Sequence, residues 1–431
     1  MKNAILLIVG VFLTHTVYSQ NINKVNWNED LDFIAKELPR KHCNFFAIIS
    51  SGYFLEELGK IKLESKKLTN LEVALRLRQL IASAGDSHTV LDFSPFINKN
   101  QILPLQLYWF SDGVFIIGTT SENNEILGQQ LVSINGFSID TISNKLISLI
   151  TVDNSATVKK IVPQILPSIQ LLEYFGFINE KKLELGLVDS DGNNRIYKMS
   201  VAEIKQLDGQ SYNQVNSTAL CYKNKDALFV DSYLPESKIY CLQYNKCWSK
   251  ETAIEAKRRN NKAAHWGGAE SEDIAILPSF SEFEKRIFKT LEEKSVNKII
   301  FDMRFNPGGS SLQGQLFISK LAKYLKKNPH IKIYVVIGRA TYSSAVLHVI
   351  DFKTQTNAIL VGEETSGKPN SFGEVMKVDL PSSGLKVFYS TKYIKYYNKN
   401  VDTVSPDVKI ELSFSDFKKG VDPVYEWIKK Q

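Results

Sequence analysis

Residues 298–309 read KIIFDMRFNPGG, an apolar segment typical of a buried strand that ends in a turn with two glycines. Two further segments of this kind follow, IKIYVVIGRATYSS at 331–344 and AILVGEETSGK at 358–368. The stretches between them have apolar residues at helical spacing. Alternating strands and helices predict a parallel sheet with right-handed crossovers, and the three loops then lie at one edge of it. Open α/β sheets place their functional sites at that edge.

Ser343 is the residue at this edge with the most direct chemical use. It follows the second strand by a short turn and opens a helix, so backbone N–H groups and the positive end of the helix dipole lie near its hydroxyl. Such groups stabilise the oxyanion that forms when a serine attacks a carbonyl carbon. Serine is also a common helix cap, which is the alternative interpretation of Ser343 and Ser344. A glycine turn and a lysine on the neighbouring loops favour a serine hydrolase.

The two neighbouring loops carry a glycine turn and a partial phosphate-loop motif. The turn that ends in Gly308 and Gly309 allows the backbone to approach a ligand closely, so the Gly308 N–H is a candidate oxyanion donor. The loop 362–368 fits most of the phosphate-loop pattern G-x-x-x-x-G-K-[ST]. However, Pro369 stands where the magnesium-binding hydroxyl belongs, and no helix pattern follows. No nucleotide site is therefore expected.

Two residues are candidates for the general base that takes the proton of Ser343. Lys368 can serve if burial, for example beside Phe372, lowers its pKa from about 10.4 toward neutrality. His88, in the segment GDSHT (85–89), has the side chain best suited to proton transfer near neutral pH. We expect Lys368 to be the base, because its loop follows the strand beside the one that leads to Ser343. His88 comes from a distant N-terminal segment.

Taken together, these motifs resemble those of the C-terminal-processing (tail-specific) and tricorn-core serine peptidases. The resemblance extends over about residues 80–430. It is carried by the segments GDSHT (85–89), FDMRFNPGG (301–309), TYSSA (341–345), GEETSGKPNSFG (362–373) and SPD (405–407). It implies an α/β fold with a crotonase-like (ClpP/crotonase) serine peptidase core.

The resemblance also implies roles for single residues. In the processing branch the nucleophile maps to Ser343 and the general base to Lys368, whereas in the tricorn branch a histidine is the base, which maps to His88. The oxyanion donors and substrate-binding backbone map to the glycine turn and to the residue after the nucleophile, which are Gly308, Gly309 and Ser344.

The expected activity is that of an endopeptidase that cleaves protein or peptide substrates through an acyl-enzyme. A catalytically inactive peptide- or lipid-binding protein on the same fold is the alternative, and a binding or chaperone-like module that uses a sheet edge is a third class. No feature of the sequence indicates an oligomeric state.

The composition is that of a globular protein with several domains. Of 431 residues, 43% are hydrophobic and 23% are charged. The net charge is +7, but Lys and Glu are interleaved, so no basic stripe predicts a nucleic-acid partner. No cysteine pair has zinc-ribbon spacing and no HExxH motif occurs, so neither a metal nor a cofactor is expected. Two disulfides are permitted by the four cysteines, which are Cys43, Cys221, Cys241 and Cys247.

The N-terminus has the pattern of a secretory signal peptide. A positive start precedes the apolar run Ala4–Leu13, and Val17 and Ser19 are small residues at the positions that a signal peptidase reads. The run is shorter than the ~20 residues that a membrane span needs, so no stable span is expected. We expect cleavage between Ser19 and Gln20 and an exported protein, periplasmic or secreted.

The remaining chain divides into four predicted parts. The strand-rich part resembles a PDZ module through Gly113 and QLVSING (130–136) and is expected to bind substrate peptides at a strand edge, although a structural spacer has the same pattern. After the signal peptide at 1–19, the parts are an N-terminal helical cap (20–95), the strand-rich module (96–155), a connecting helix and hairpin segment (156–216) and a peptidase core (217–431).

Overall fold

The computed structural model describes residues 25–98, 101–179, 182–200, 219–258 and 273–431. The predicted signal peptide lies outside these ranges. Within them, no helix is both long and apolar enough to cross a membrane.

Three amphipathic helices begin the described chain. They bury their apolar faces against one another, and the third starts with a capping box in which Thr69 and Glu72 exchange hydrogen bonds. A tight turn that includes Gly85 (φ +78°) then leads into a short strand. These elements are α1 (Trp27–Lys41), α2 (Ser51–Glu64), α3 (Asn70–Ala82) and β1 (Val90–Asp92).

An antiparallel sheet with the strand order β2-β3-β4-β6-β7 follows. The turn after β4 has Asn135 and Gly136 at positive φ, as a two-residue hairpin requires. The hairpin β6-β7 falls within the predicted connecting segment 156–216, but β6 pairs with β4, so the hairpin belongs to the same sheet as β2-β3-β4. The elements are β2 (Leu105–Phe110), β3 (Gly113–Thr119), β4 (Gln130–Ile134), β5 (Phe137–Ser138), α4 (Ile139–Leu146), α5 (Ser155–Ile165), α6 (Ile169–Tyr174), β6 (Lys182–Val188) and β7 (Asn194–Ser200).

The second half of the chain forms a six-stranded sheet in the order β15-β12-β11-β10-β9-β8, parallel except for the pair β8-β9. The three strands quoted first are adjacent, so their loops meet at one edge, as the sequence predicted. The elements are α7 (Leu220–Lys223), β8 (Phe229–Leu234), β9 (Ile239–Tyr244), α8 (Lys250–Arg258), α9 (Phe280–Glu293), β10 (Lys298–Asp302), α10 (Ser311–Lys327), β11 (Lys332–Ile337), α11 (Ser344–Gln355), β12 (Ile359–Gly362), β13 (Asn370–Asp379), β14 (Lys386–Lys395), β15 (Val408–Lys409), α12 (Phe414–Lys418) and α13 (Pro423–Lys430).

The long hairpin β13-β14 joins the two halves of the molecule. Its second strand pairs with β1, with Leu91 opposite Val387, in a three-stranded sheet. The carboxylate of Asp30 on α1 accepts the N–H groups of Ser382 and Ser383 at the hairpin turn, at 2.8 and 3.0 Å. These contacts attach α1 and β1 to the hairpin that follows β12 of the parallel sheet.

Candidate active site

Ser343 has a strained backbone, and its side chain does not cap the helix that follows. Its φ of +53° and ψ of −126° lie in a region that residues other than glycine rarely occupy, and such strain is common at functional sites. Its side chain makes no capping bond to α11. The geometry therefore does not support the alternative in which Ser343 merely caps this helix.

The glycine turn packs directly against Ser343. A Cβ on Gly308 would lie 2.9 Å from the Cβ of Ser343 and 3.0 Å from the nitrogen of Ser344, and one on Gly309 would lie 2.4 Å from the carbonyl oxygen of Cys247. Both glycines have positive φ, +100° and +132°. Larger residues would therefore clash and would also be strained.

The backbone N–H groups beside Ser343 differ in whether they already donate a hydrogen bond. The N–H of Gly308 donates to Oδ1 of Asn306 at 2.9 Å, an Asx-type turn, and so differs from the expectation that it is a free oxyanion donor. Within the described residues, the N–H groups of Gly309 and Ser344 have no acceptor. The hydroxyl of Ser344 donates to the Gly309 carbonyl at 2.6 Å and ties these two residues together.

His88 is the residue that reaches the Ser343 hydroxyl. Its Nε2 lies 3.2 Å from Ser343 Oγ, although 255 positions separate the two in sequence. The imidazole is buried, with 6% of the residue exposed, and stacks on the Tyr342 ring at a centroid distance of 4.9 Å. This distance is that of a base poised to take a serine proton.

A chain of hydrogen bonds fixes the tautomer of His88. Ser87 Oγ donates to Asp153 Oδ2 at 2.7 Å, and Tyr342 Oη donates to Ser87 Oγ at 2.8 Å. With its own proton used, Tyr342 Oη can only accept from Nδ1 of His88, 3.2 Å away. The lone pair on Nε2 is then left for the proton of Ser343.

Asp86 holds the backbone of the same segment rather than the imidazole. Its Oδ1 accepts the His88 N–H at 2.9 Å, while Oδ1 and the imidazole Nδ1 are 3.8 Å apart. His42 Nδ1 accepts the Asn44 N–H, so its Nε2 donates to Asp86 Oδ2 at 3.0 Å. Burial raises the pKa of Asp86, but the bond from His42, the charge of His88 and a bond from Thr89 outweigh it, and the pKa is about 2.

Lys368 does not behave as the sequence analysis expected. Its Nζ lies 2.9 Å from Asp153 Oδ1, an ion pair with a carboxylate that is only 2% exposed. Burial lowers the pKa of Lys368, but the charge of Asp153 outweighs burial, and the pKa is raised above its ordinary value. The Phe372 ring, expected to desolvate this lysine, packs instead on His42 and Tyr393.

Burial instead has its main effect on the pKa of His88. Desolvation lowers the pKa of His88, with a smaller lowering from the charge of Lys160, against the opposing charges of Asp86 and Asp153. The imidazole is therefore neutral at neutral pH, which is the form that can accept a proton.

Sequence reasoning missed several residues of this site. Ser87 and Asp86 lie beside His88, and Tyr342 precedes Ser343, so the quoted motifs contained them without assigning a role. Asp153 and Lys160 had no sequence signal, because they come from the segment around α5 and only the tertiary fold brings them to the site.

The described residues include all four cysteines and many potential metal ligands. All four cysteines are free thiols, so the two disulfides that the sequence permits are not formed. The described residues contain no cluster of three or more His, Cys, Asp or Glu side chains that could hold a metal ion.

Comparison with known proteins defines the class of fold. No family model and no curated protein sequence matches the chain. Among solved structures, mature CPAF complexed with lactacystin matches with a TM-score of 0.62 and 13% identity, over 94% of this chain and 97% of that chain.

Two further structures carry the names of the branches that the motifs resemble. The tricorn protease has a TM-score of 0.40 and 14% identity over 94% of this chain and 36% of that chain. The photosystem II D1 C-terminal processing protease has a TM-score of 0.35 and 13% identity, over 89% and 92% of the two chains. Of these three structures, CPAF alone has a TM-score above 0.5, and at 13% identity this likeness shows the fold. The resemblance to the processing and tricorn-like peptidases is thus confirmed, at the level of the fold.

Proposed function

We propose that this protein is a serine-type endopeptidase that hydrolyses protein or peptide substrates through an acyl-enzyme on Ser343, with His88 rather than Lys368 as the general base. The single observation that carries the proposal is the 3.2 Å contact between His88 Nε2 and the Oγ of a backbone-strained Ser343. The fold that the chain shares with CPAF, over nearly the full length of both chains, is compatible with this proposal.

In the first step, Ser343 Oγ bonds to the substrate carbonyl carbon while its proton passes to His88 Nε2. The Nδ1–H stays donated to Tyr342, so the imidazolium keeps its orientation, and it then protonates the amine that leaves. Water, deprotonated by the same imidazole, then bonds to the acyl carbon. The bond from that carbon to Ser343 Oγ breaks, the acid product leaves, and the imidazolium returns the proton to Oγ. The N–H groups of Ser344, at the start of α11, and of Gly309, in the turn after β10, stabilise the oxyanion in both steps.

The Lys368–Asp153 pair has a supporting role in this mechanism. Asp153 ends the hydrogen-bond chain from His88 through Tyr342 and Ser87, and Lys368 balances its buried charge. The chain takes the place of a carboxylate bonded directly to the imidazole. It fixes the histidine tautomer through the hydroxyl groups of Tyr342 and Ser87.

The experiment is cleavage of unfolded protein substrates, together with labelling by a serine-directed phosphonate. The wild type is expected to cleave and to be labelled, and Ser343→Ala to do neither. Ser310→Ala, at the start of the neighbouring helix α10, is the matched control and should retain both properties. Equal cleavage by the wild type and Ser343→Ala would remove Ser343 from the mechanism, and no turnover by either would favour the inactive binding protein.

Three finer features belong to the same proposal. The parallel sheet and its helices are proposed to be a crotonase-like core, α1–α3 a cap over it, and the sheet β2-β3-β4-β6-β7 a PDZ-like module that binds peptides. The N-terminal pattern supports export with cleavage near Ser19 and Gln20. An intact-mass measurement on the native protein that still includes 1–19 would contradict export by this route.

A further inference from the structure

Lys160 is a cation at the proposed active site that the mechanism does not use. It lies on α5, which docks on the edge of the parallel sheet through its first turn. Asn154 Nδ2 donates to the carbonyl oxygens of Thr365 and Asp402 at 3.0 and 2.7 Å, and Thr157 Oγ1 donates to that of Ser366 at 2.9 Å. The position of Lys160 relative to Ser343 is therefore fixed by the fold.

The ammonium of Lys160 lies over the ring of Tyr342, the residue that precedes Ser343. Its Nζ is 5.1 Å from the centroid of the Tyr342 ring, and the His88 imidazole is 4.9 Å from the same centroid. The ammonium thus lies within about 10 Å of the imidazole, which is the length of roughly three residues of extended peptide. A group on a bound substrate near the scissile bond can reach it.

The neighbouring lysines have counter-ions and Lys160 has none among the described residues. Lys159 lies 3.0 Å from Glu411 and Lys368 lies 2.9 Å from Asp153. For Lys160, desolvation lowers the pKa to about 8, and no acidic group is close enough to offset that effect. Contact with an aromatic face satisfies a cation only partly, because the three N–H donors remain free.

Lys160 is half-buried, and even the partial removal of an ammonium from water without an anion is unfavourable. Such groups occur at functional sites more often than elsewhere. A peptide offers two anions that could complete the pair, its C-terminal carboxylate and the side chains of Asp and Glu. We propose that Lys160 binds a carboxylate of the peptide substrate within about three residues of the scissile bond and so selects anionic substrates. This inference rests on the proposed peptidase function.

The experiment measures binding, so it does not depend on turnover. The full chain with Ser343→Ala is titrated into labelled eight-residue peptides and fluorescence anisotropy is recorded. One neutral, amidated parent peptide is compared with versions that have Glu for Gln at each position in turn, and with a version that has a free C-terminal carboxylate. The Glu series and the free-acid peptide distinguish the two sources of the carboxylate.

At least one anionic peptide should bind about tenfold or more tightly than its neutral parent, as a charge-assisted contact contributes. Lys160→Met keeps an apolar side chain against Tyr342 and should lose this preference, while Lys160→Arg should retain it. Lys159→Met is the matched control and should bind as the parent protein does. A circular dichroism melt of each variant verifies folding.

Equal affinity for anionic and neutral peptides, no binding of any peptide, or a preference that persists in Lys160→Met would overturn the role of Lys160. Failure of the peptidase proposal looks different. In that case the anionic preference depends on Lys160, but the wild type shows no cleavage that depends on Ser343.

Discussion

Two loops approach Ser343 from different parts of the molecule, and they differ in what they bring to it. The loop after β12 belongs to the same sheet as Ser343 and carries Lys368, whose ammonium is paired with Asp153. The turn after α3 belongs to the N-terminal helices and carries His88, whose Nε2 contacts Ser343 Oγ. Topology therefore determines which loops meet, but the charge partner of each side chain decides which one can act as a base.

The most direct test of this difference is to replace each of the two candidate bases, His88 and Lys368, in turn. His88→Ala is expected to lower kcat/KM by about 10²- to 10⁴-fold, the usual contribution of a general base. Lys368→Ala should retain most of the activity, because its ammonium stays protonated and cannot accept a proton. The rate of labelling by a serine-directed phosphonate measures both effects without the need for a natural substrate.

Thermal melts of the two variants provide the control, because His88 is buried and its loss could unfold the turn. If Lys368→Ala is no longer labelled while His88→Ala is labelled at the wild-type rate, the assignment of the base proposed here is wrong and that of the sequence analysis is correct.

Much of the fold could be predicted from the sequence. The order of strands and helices between 298 and 368 gave three adjacent parallel strands, because right-handed crossovers leave few alternatives. The helix Trp27–Lys41 could be read from its apolar spacing alone. Pairing of β1 with β14 could not be predicted, because alternation of apolar residues indicates a strand but not its partner hundreds of residues away.

For the site as well, local sequence motifs were informative, whereas contacts between residues distant in sequence could not be predicted. Ser343 and the glycines could be predicted, because each follows a strand in a local motif. The choice between Lys368 and His88 depended on a contact over 255 positions and on the buried Asp153, neither of which has a periodic signal. The expectation that burial lowers the pKa of a lysine is met by Lys160 instead of Lys368.

A second test concerns the hydrogen bond that orients His88. Tyr342→Phe keeps the stacked ring but removes the acceptor of Nδ1–H, which leaves a buried donor unsatisfied. We expect kcat/KM to fall by about 10- to 100-fold, in proportion to the free energy of an unsatisfied donor, with the loss mainly in kcat. Tyr396→Phe removes a hydroxyl bonded to Asp351 and is the matched control. Equal kinetics for both variants would show that the Tyr342 hydroxyl does not position the imidazole.

A third, smaller effect is expected from the ion pair itself. Lys368→Ala leaves the negative charge of Asp153 uncompensated, and this charge favours the protonated form of His88. The pKa of His88 should therefore rise, and the acidic limb of kcat/KM should move to higher pH by less than about one unit. Lys392→Ala, whose ammonium pairs with Glu374 on the exposed hairpin, should leave the limb in place. A limb that moves to lower pH, or that disappears, would contradict this role for Lys368.

The smallest expected effect concerns the pH at which the wild-type kcat/KM falls on the acidic side. His88 acts as a base only when neutral, so activity is present above its pKa and is lost as the pH falls through that value. Because burial lowers this pKa, the acidic limb of kcat/KM should lie below the ordinary histidine value of about 6.5. A lysine base with the raised pKa of Lys368 would instead require a limb well above neutrality. A profile measured from pH 4 to 10 on a substrate without ionisable groups distinguishes the two, and a limb above about 8 would exclude His88 as the base.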